Sequence, residues 1–263
     1  MKKISYQYVL IFGSFAVLFF CLSQINWVGM FKVEQITKKT EKSIGNKCWD
    51  LFKKEQKVSD NPDAIRAVDS IINRICIDNN IDSKNIQLHL LINNEVNAFA
   101  LPDNHLVIYT GLIESTENES QLAGVIGHEI AHMQNNHVIK KLVKEIGMAA
   151  LITITNTSGG GEMVKEMAKT LSSSAYDRKL EKEADIQAVN YLIKANIDPI
   201  PFANFLSGLD TTNTDYSMSW LNTHPDSKER GRYIKAIAKG KNIHPVTILS
   251  KSSWEQLKAN INN

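Results

Sequence analysis

Cysteine is scarce in this chain of 263 residues, with three in all. Cys48 and Cys76 have no second cysteine or histidine nearby at ligand spacing, which excludes a thiolate zinc site built on them. In an oxidising compartment the two could instead close a disulfide loop of about thirty residues, the alternative being two free, half-buried thiols. An excess of charge of one sign is also missing: 30 basic residues face 28 acidic ones, for a net charge of +2. No basic stripe carries interleaved aromatics, so nucleic acid is not a partner. Internal repeats are absent, which excludes an appended helical-repeat array. Apolar runs beyond the first thirty residues are short; Gly147 to Ile154 cannot cross a bilayer.

What remains is ordinary for a globular protein, 43% hydrophobic and 22% charged residues, and the length suits one well-packed domain over 32–263 with its core near 60–240. Ahead of it, Met1-Lys2-Lys3 precedes an uncharged, mostly apolar run from Tyr8 to Leu22, and lysines return at Lys32, Lys38 and Lys39. Residues 1–31 therefore read as a signal peptide or a membrane anchor. Either one contacts the membrane and places the domain in the cell envelope, outside the cytoplasm, in periplasmic, membrane-anchored or exported form.

The chain is organised around His128-Glu129-Ile130-Ala131-His132. His-Glu-x-x-His on a helix puts two imidazoles one turn apart with a carboxylate beside the first, the spacing that one zinc ion and its general base require. Leu122, Val125, His128, Glu129 and His132 share a face that begins with apolar side chains, so the motif points inward, where a metal ion offsets the cost of burying both rings. Asn118-Glu119-Ser120-Gln121 has the form of a capping box and marks the start of this helix, which is expected to run to about Lys144. His137 lacks the surroundings of a three-histidine zinc pattern and reads as a surface or capping residue.

A third ligand should come from a later helix over Arg178 to Lys194. Glu181, Ala184, Asp185, Ala188 and Leu192 share its apolar face, whereas Glu183 points nearly the opposite way. This selects Glu181 as ligand and Asp185 as acceptor for the other N–H of a ligating imidazole. Upstream, Ile86 to Ile92 reads as a strand, and Asn97-Ala98-Phe99-Ala100-Leu101-Pro102, a turn at Asp103-Asn104 and a strand over His105 to Tyr109 follow as a hairpin. Asn97, Ala98, Phe99 and Ala100 could offer an open sheet edge to an extended peptide, or the hairpin could simply pack beside the zinc helix. Helices are expected over Val33 to Lys57 and after Asn61-Pro62-Asp63. Thr211 to Thr223 reads as a loop, His224 as a donor able to reach an oxyanion, and Asp226 or Ser227 as the cap of a last helix. The architecture expected is mainly α with a small β-sheet.

Asn97-Ala98-Phe99-Ala100-Leu101-Pro102, Gly127 to His132, Glu181-Lys182-Glu183-Ala184-Asp185 and Thr223-His224-Pro225 with Arg230 together resemble metallopeptidase family forty-eight, the gluzincin family that includes HtpX, BepA, LoiP and the CAAX prenyl proteases. The resemblance implies a zincin-like domain, His128, His132 and Glu181 as zinc ligands, Glu129 as catalytic base and His224 near the active site. It further implies a zinc endopeptidase acting on polypeptides, with misfolded envelope proteins as substrates in quality control. A single candidate membrane segment sets the chain apart from the multi-span members and from prenylated substrates. The rival expectation is a zinc-containing chaperone or assembly factor that binds unfolded envelope proteins and cuts little.

Overall fold

A computed structural model describes residues 37–156, 161–209 and 219–261. The N-terminal segment, Gly159 and Gly160, and residues 211–218 of the Ser/Thr/Asn-rich stretch 211–223 lie outside the described residues. Among those described, no helix is long and apolar enough to cross a membrane.

The first helix, α1 (Lys38–Glu55), buries Ile44, Cys48, Trp49 and Phe52 and starts at Thr37, whose side chain accepts from the Thr40 N–H. Asn61 caps α2 (Pro62–Asp78) by accepting from the N–H groups of Asp63 and Ala64, with Pro62 where a helix needs no amide hydrogen. Three strands follow: β1 (Gln87–Leu91), β2 (Ala98–Leu101) and β3 (His105–Tyr109). β3 is central, parallel to β1 and antiparallel to β2, so β2 is an edge strand of this small mixed sheet. Asp103 and Asn104 turn the hairpin with positive φ, as the sequence anticipates. α1 approaches this turn so closely that a Cβ on Gly45 would lie 2.1 Å from the Pro102 carbonyl oxygen.

After α3 (Thr110–Ser115) comes the central helix, α4 (Glu119–Gln134), capped by Asn118, whose side chain accepts from the Gln121 N–H. It is buried from Gln121 to Met133, and packs against β2, α2, α8 (Arg178–Lys194) and α9 (Ile200–Leu209). A helix walled in on every side gains its stability from tertiary packing more than from propensity.

α4 does not continue to Lys144. Asn135 ends it and Asn136 adopts a left-handed conformation, φ 55°, from which α5 (His137–Ile146) departs in a new direction. Asparagine tolerates that conformation better than most residues, and adjacent asparagines were the signal for the break. His137, expected as a surface or capping residue, is completely buried as the first residue of α5. α6 (Met148–Asn156) and α7 (Gly161–Ser173) pack on α1, and α7 also meets β2 and α5. α10 (Ser219–Thr223) is a short helix where a loop was expected, followed by α11 (Ser227–Ala238) and α12 (Lys251–Asn260). Asp226 stands at the start of α11 with φ 64° but makes no side-chain cap; its carboxylate pairs with Arg178 at 2.9 Å. Cys48 and Cys76 are free and buried, so they do not form the disulfide considered from sequence.

Candidate metal centre

Two helices and one turn bring the site together. α4 supplies His128, Glu129 and His132; α8, packed across it, supplies Glu181 and Asp185; the turn between α10 and α11 supplies His224. Ala184 and Ala188 are fully buried at the crossing, small enough for the two backbones to come close. One donor atom each from His128, His132, Glu181 and His224 lies within 4.8 Å of the others, so these four could hold one metal ion. The two Nε2 atoms of His128 and His132 are 2.9 Å apart, and the Glu181 carboxylate stands 3.1 Å from His132 and 3.7 Å from His128.

Every group here is buried, and the neighbours set its charge. His128 Nδ1 faces Asp185 Oδ1 at 2.9 Å. Burial alone would lower the pKa of His128, but Glu181 and Asp185 outweigh it and raise it to about 9. His132, buried beside that imidazole, is pushed down to about 4. Burial raises the Glu129 carboxyl to about 7, the range of a general base. For Glu181 burial is overcome by the cationic neighbours Arg230 and His128, which hold it well below the usual carboxylate range. Asp185 sits at about 2, burial being outweighed by Arg230 and His128.

The fit to a metal ion shows in what these atoms lack. Both Glu129 oxygens, both Glu181 oxygens and His224 Nε2 are buried without a hydrogen-bond partner, an arrangement that costs about 1–3 kcal/mol per group unless a ligand engages them. Three imidazoles and one carboxylate around one point are the donor set that zinc favours.

His224 enters this set with a defined face. Its Nδ1 is 2.7 Å from Thr223 Oγ1 and 3.3 Å from the Trp220 carbonyl, and Thr223 itself donates to that carbonyl at 3.0 Å. With carbonyl and hydroxyl both acting as acceptors, the proton belongs on Nδ1 and Nε2 presents a lone pair. Burial also keeps the ring neutral, its pKa well below the ordinary histidine value. His224 thus faces the cluster as an acceptor, 3.4 Å from Glu129 Oε1. The donor role expected from sequence needs the opposite tautomer or a charged ring.

Several contacts have no counterpart in the sequence reading. The Trp220 ring stacks on His224 at 4.4 Å and the Tyr176 ring on His132 at 4.0 Å. His137 Nδ1 lies 3.1 Å from His132 Nδ1. Lys141, buried on α5, donates to the Ser174 carbonyl and lies over the Tyr176 ring. Arg230 bonds both Asp185 oxygens at 2.8 Å. The sequence singles this residue out together with Thr223-His224-Pro225 without assigning it a partner; it lies on the face of α11 that also buries Ile234 and Ala238. Asn97 to Ala100 supply no atom to the donor cluster; they lie at the edge of the sheet beside α4, and the Asn97 amide donates to the Ser172 carbonyl at 3.2 Å.

A mainly helical domain with a small mixed sheet, carrying His-Glu-x-x-His on one helix and Glu181 beside it from a later helix, defines a gluzincin-type metalloendopeptidase. The chain belongs to peptidase family M48, whose model matches residues 62–238. It is 30% identical over 151 residues to the mitochondrial metalloendopeptidase OMA1 of Arabidopsis thaliana, a match covering 57% of this chain and 31% of that protein. It is 26% identical over 195 residues to the metalloprotease LoiP of Escherichia coli, covering 72% of this chain and 76% of LoiP. With the β-barrel assembly-enhancing protease of Yersinia pestis it shares 26% identity over 190 residues, 64% of this chain and 39% of that protein. The chain thus spans about three quarters of LoiP but well under half of the other two.

Proposed function

We propose that this chain is a zinc-dependent endopeptidase of the cell envelope that cleaves misfolded or unassembled polypeptides. The observation that carries the reading is the buried cluster of His128, His132, Glu181 and His224 beside an unpartnered Glu129. Similarity to the metalloprotease LoiP supports the peptidase activity, and similarity to the β-barrel assembly-enhancing protease supports unassembled envelope polypeptides as the substrate class. The sequence of residues 1–31, an export signal or anchor, supports the compartment.

In this reading His128, His132 and Glu181 are the protein ligands, and Asp185 orients His128 by accepting from its Nδ1–H. When bound, zinc supplies Lewis-acid polarisation of the peptide carbonyl and a lowered pKa for water. The remaining work belongs to the chain. Glu129, raised by burial towards neutrality, accepts a proton from the attacking water and hands it to the departing amine. His224 offers its Nε2 as a fourth donor that keeps the resting cluster satisfied. The edge strand β2, with Asn97 at its start, pairs with an extended substrate through main-chain hydrogen bonds, which gives binding with little dependence on side chains.

Metal analysis combined with casein and peptide-library cleavage tests this. The wild type is expected to hold one zinc per chain and to cut. Glu129→Gln should keep the zinc and lose cleavage, because its amide cannot accept the proton. Cleavage retained by purified Glu129→Gln refutes the assigned base, and a protein that binds unfolded substrates without cutting them is a chaperone instead.

A further inference from the structure

Arg230 is 2% exposed, and it lies beneath the carboxylates of the cluster. Its Nε donates to Asp185 Oδ2 and its Nη2 to Asp185 Oδ1, both at 2.8 Å, a bidentate fork. The third nitrogen, Nη1, donates to the His224 carbonyl at 3.2 Å and stands 2.8 Å from Glu181 Oε2. That last contact is ionic: Oε2 is close to the guanidinium yet accepts no aligned N–H. The Trp220 ring closes the arrangement, 4.9 Å from the guanidinium carbon. One side chain thus touches the acid that orients His128, the acid expected to bind metal, and the backbone of His224.

The two oxygens of Glu181 are not equivalent. Oε1 faces the imidazoles, 3.1 Å from His132 Nε2 and 3.9 Å from His224 Nε2. Oε2 stands 3.7 Å from His128 Nε2 but closer, 2.8 Å, to the fixed positive charge of Arg230. A cation approaching Oε2 meets that charge at close range in a buried site, where screening is weak. Oε1 meets no such opposition.

We propose that Arg230 is a positioning residue that makes Glu181 a one-oxygen donor, and so holds the site four-coordinate and selective for zinc over metals that demand more oxygens. The inference rests on the metal-centre reading above and adds the residue that sets its coordination number. Zinc accepts four tetrahedral nitrogen and oxygen donors, whereas manganese favours six, mostly oxygen. A carboxylate free to offer both oxygens shifts the balance towards manganese. Lysine in place of arginine cannot grip Asp185 bidentately and reach Glu181 at the same time, so it should release Oε2.

The test uses the full chain loaded with cobalt, whose visible absorption is intense in four-coordinate sites and weak in five- or six-coordinate ones. Wild type should show the intense band, and Arg230→Lys at full cobalt occupancy should lose at least half of it. Competition titrations should show zinc affinity falling about 10- to 100-fold, the usual effect of losing an outer-shell partner, with manganese affinity falling less, so that the preference for zinc narrows. Arg178→Gln is the control. It removes an exposed cation that lines the same small pocket as Arg230 but pairs with Asp226 rather than with Glu181 or Asp185, and should leave band and preference unchanged. If Arg230→Lys binds cobalt with an unaltered band and unaltered preference, Arg230 merely ties α11 to α8 and the proposal falls. Should Arg230→Lys not fold, a crystal structure of the zinc-loaded wild type decides: Glu181 bound through one oxygen, with the other on Arg230, supports the assignment, and both oxygens on the metal overturns it. A wild type that binds neither cobalt nor zinc would sink the metal-centre reading first and this inference with it.

Discussion

Gly124 and Gly127 lie on the same helix within one turn of each other, and the structure gives them opposite sensitivities to a methyl group. A Cβ on Gly124 would lie 2.2 Å from Phe202 Cγ, 2.3 Å from its Cβ and 2.5 Å from its Cδ2. Phe202 is completely buried and these atoms sit at the base of its side chain, so a rotamer change does not clear them. Gly124→Ala must force α4 and α9 apart. Overpacking of this kind costs about 1–3 kcal/mol, against a gain of about 1 kcal/mol from replacing a mid-helix glycine by alanine. The net expectation is a loss of roughly 0–2 kcal/mol. On Gly127 the nearest atoms, from Ala188 and Leu192, would be 3.9 Å away, an ordinary contact. Gly127→Ala should therefore be neutral or stabilising by up to about 1 kcal/mol. Because Gly124 is one turn before His128, the displacement also reaches the donor cluster, and zinc affinity should fall in Gly124→Ala and not in Gly127→Ala. Urea unfolding of the metal-free proteins and zinc titration with a chromogenic chelator read both effects. Equal stability and equal zinc affinity of the two variants would refute the argument.

Beyond the lowered histidines of the metal centre, a second source of acid sensitivity lies at the sheet face under α1. His89 Nε2 meets His105 Nδ1 at 2.7 Å, and Trp49 stacks on His89. Burial, then the neighbouring His105 and Lys53, lowers His89 to about 3, and His105 is lowered too, mainly by burial. Each folded pKa lies below the unfolded one, so the unfolded chain binds more protons and stability falls as pH drops through about 6.5 towards 3. Going from pH 7 to pH 5 should cost about 1–2 kcal/mol for His89; urea midpoints for His89→Gln should show a visibly smaller loss, and an identical pH dependence would count against this account. The buried thiols provide a simpler check. Burial raises Cys48 to about 12, and burial with Asp82 raises Cys76 to about 11, so neither forms thiolate near neutrality. Maleimide should label both slowly in the native protein and quickly in urea, as read by peptide mass; rapid native labelling of Cys48 would contradict its burial. Removing metal with a chelator should lower the melting temperature measurably, since the buried Glu129, Glu181 and His224 atoms lose the ligand they are arranged around; an unchanged melting curve would mean that no metal was bound.

Much of the centre was legible without coordinates, because helical periodicity is a local property. Four-residue spacing put His128 and His132 on one side of α4, and the same arithmetic separated Glu181 and Asp185 from Glu183 on α8. The caps at Asn118 and Asn61, the hairpin turn at Asp103-Asn104 and the helices of the first half are likewise matters of neighbouring residues, and the structure agrees on them. The break at Asn136 is local too, but competes with an apolar pattern that runs straight through it into α5.

Long-range packing decided the rest. No spacing rule relates His224 to the cluster: its tautomer and direction follow from Thr223 and Trp220, and the turn that carries it is held by Arg230. Nor could periodicity tell that Gly124 faces Phe202 from about eighty residues away, that His137 is buried against His132, or that Cys48 and Cys76 stay apart. Local sequence sets which side of a helix a residue occupies. What meets that side, and whether a buried charge finds its partner, depends on how α4, α8 and α11 cross, and that crossing is a property of the whole packed core.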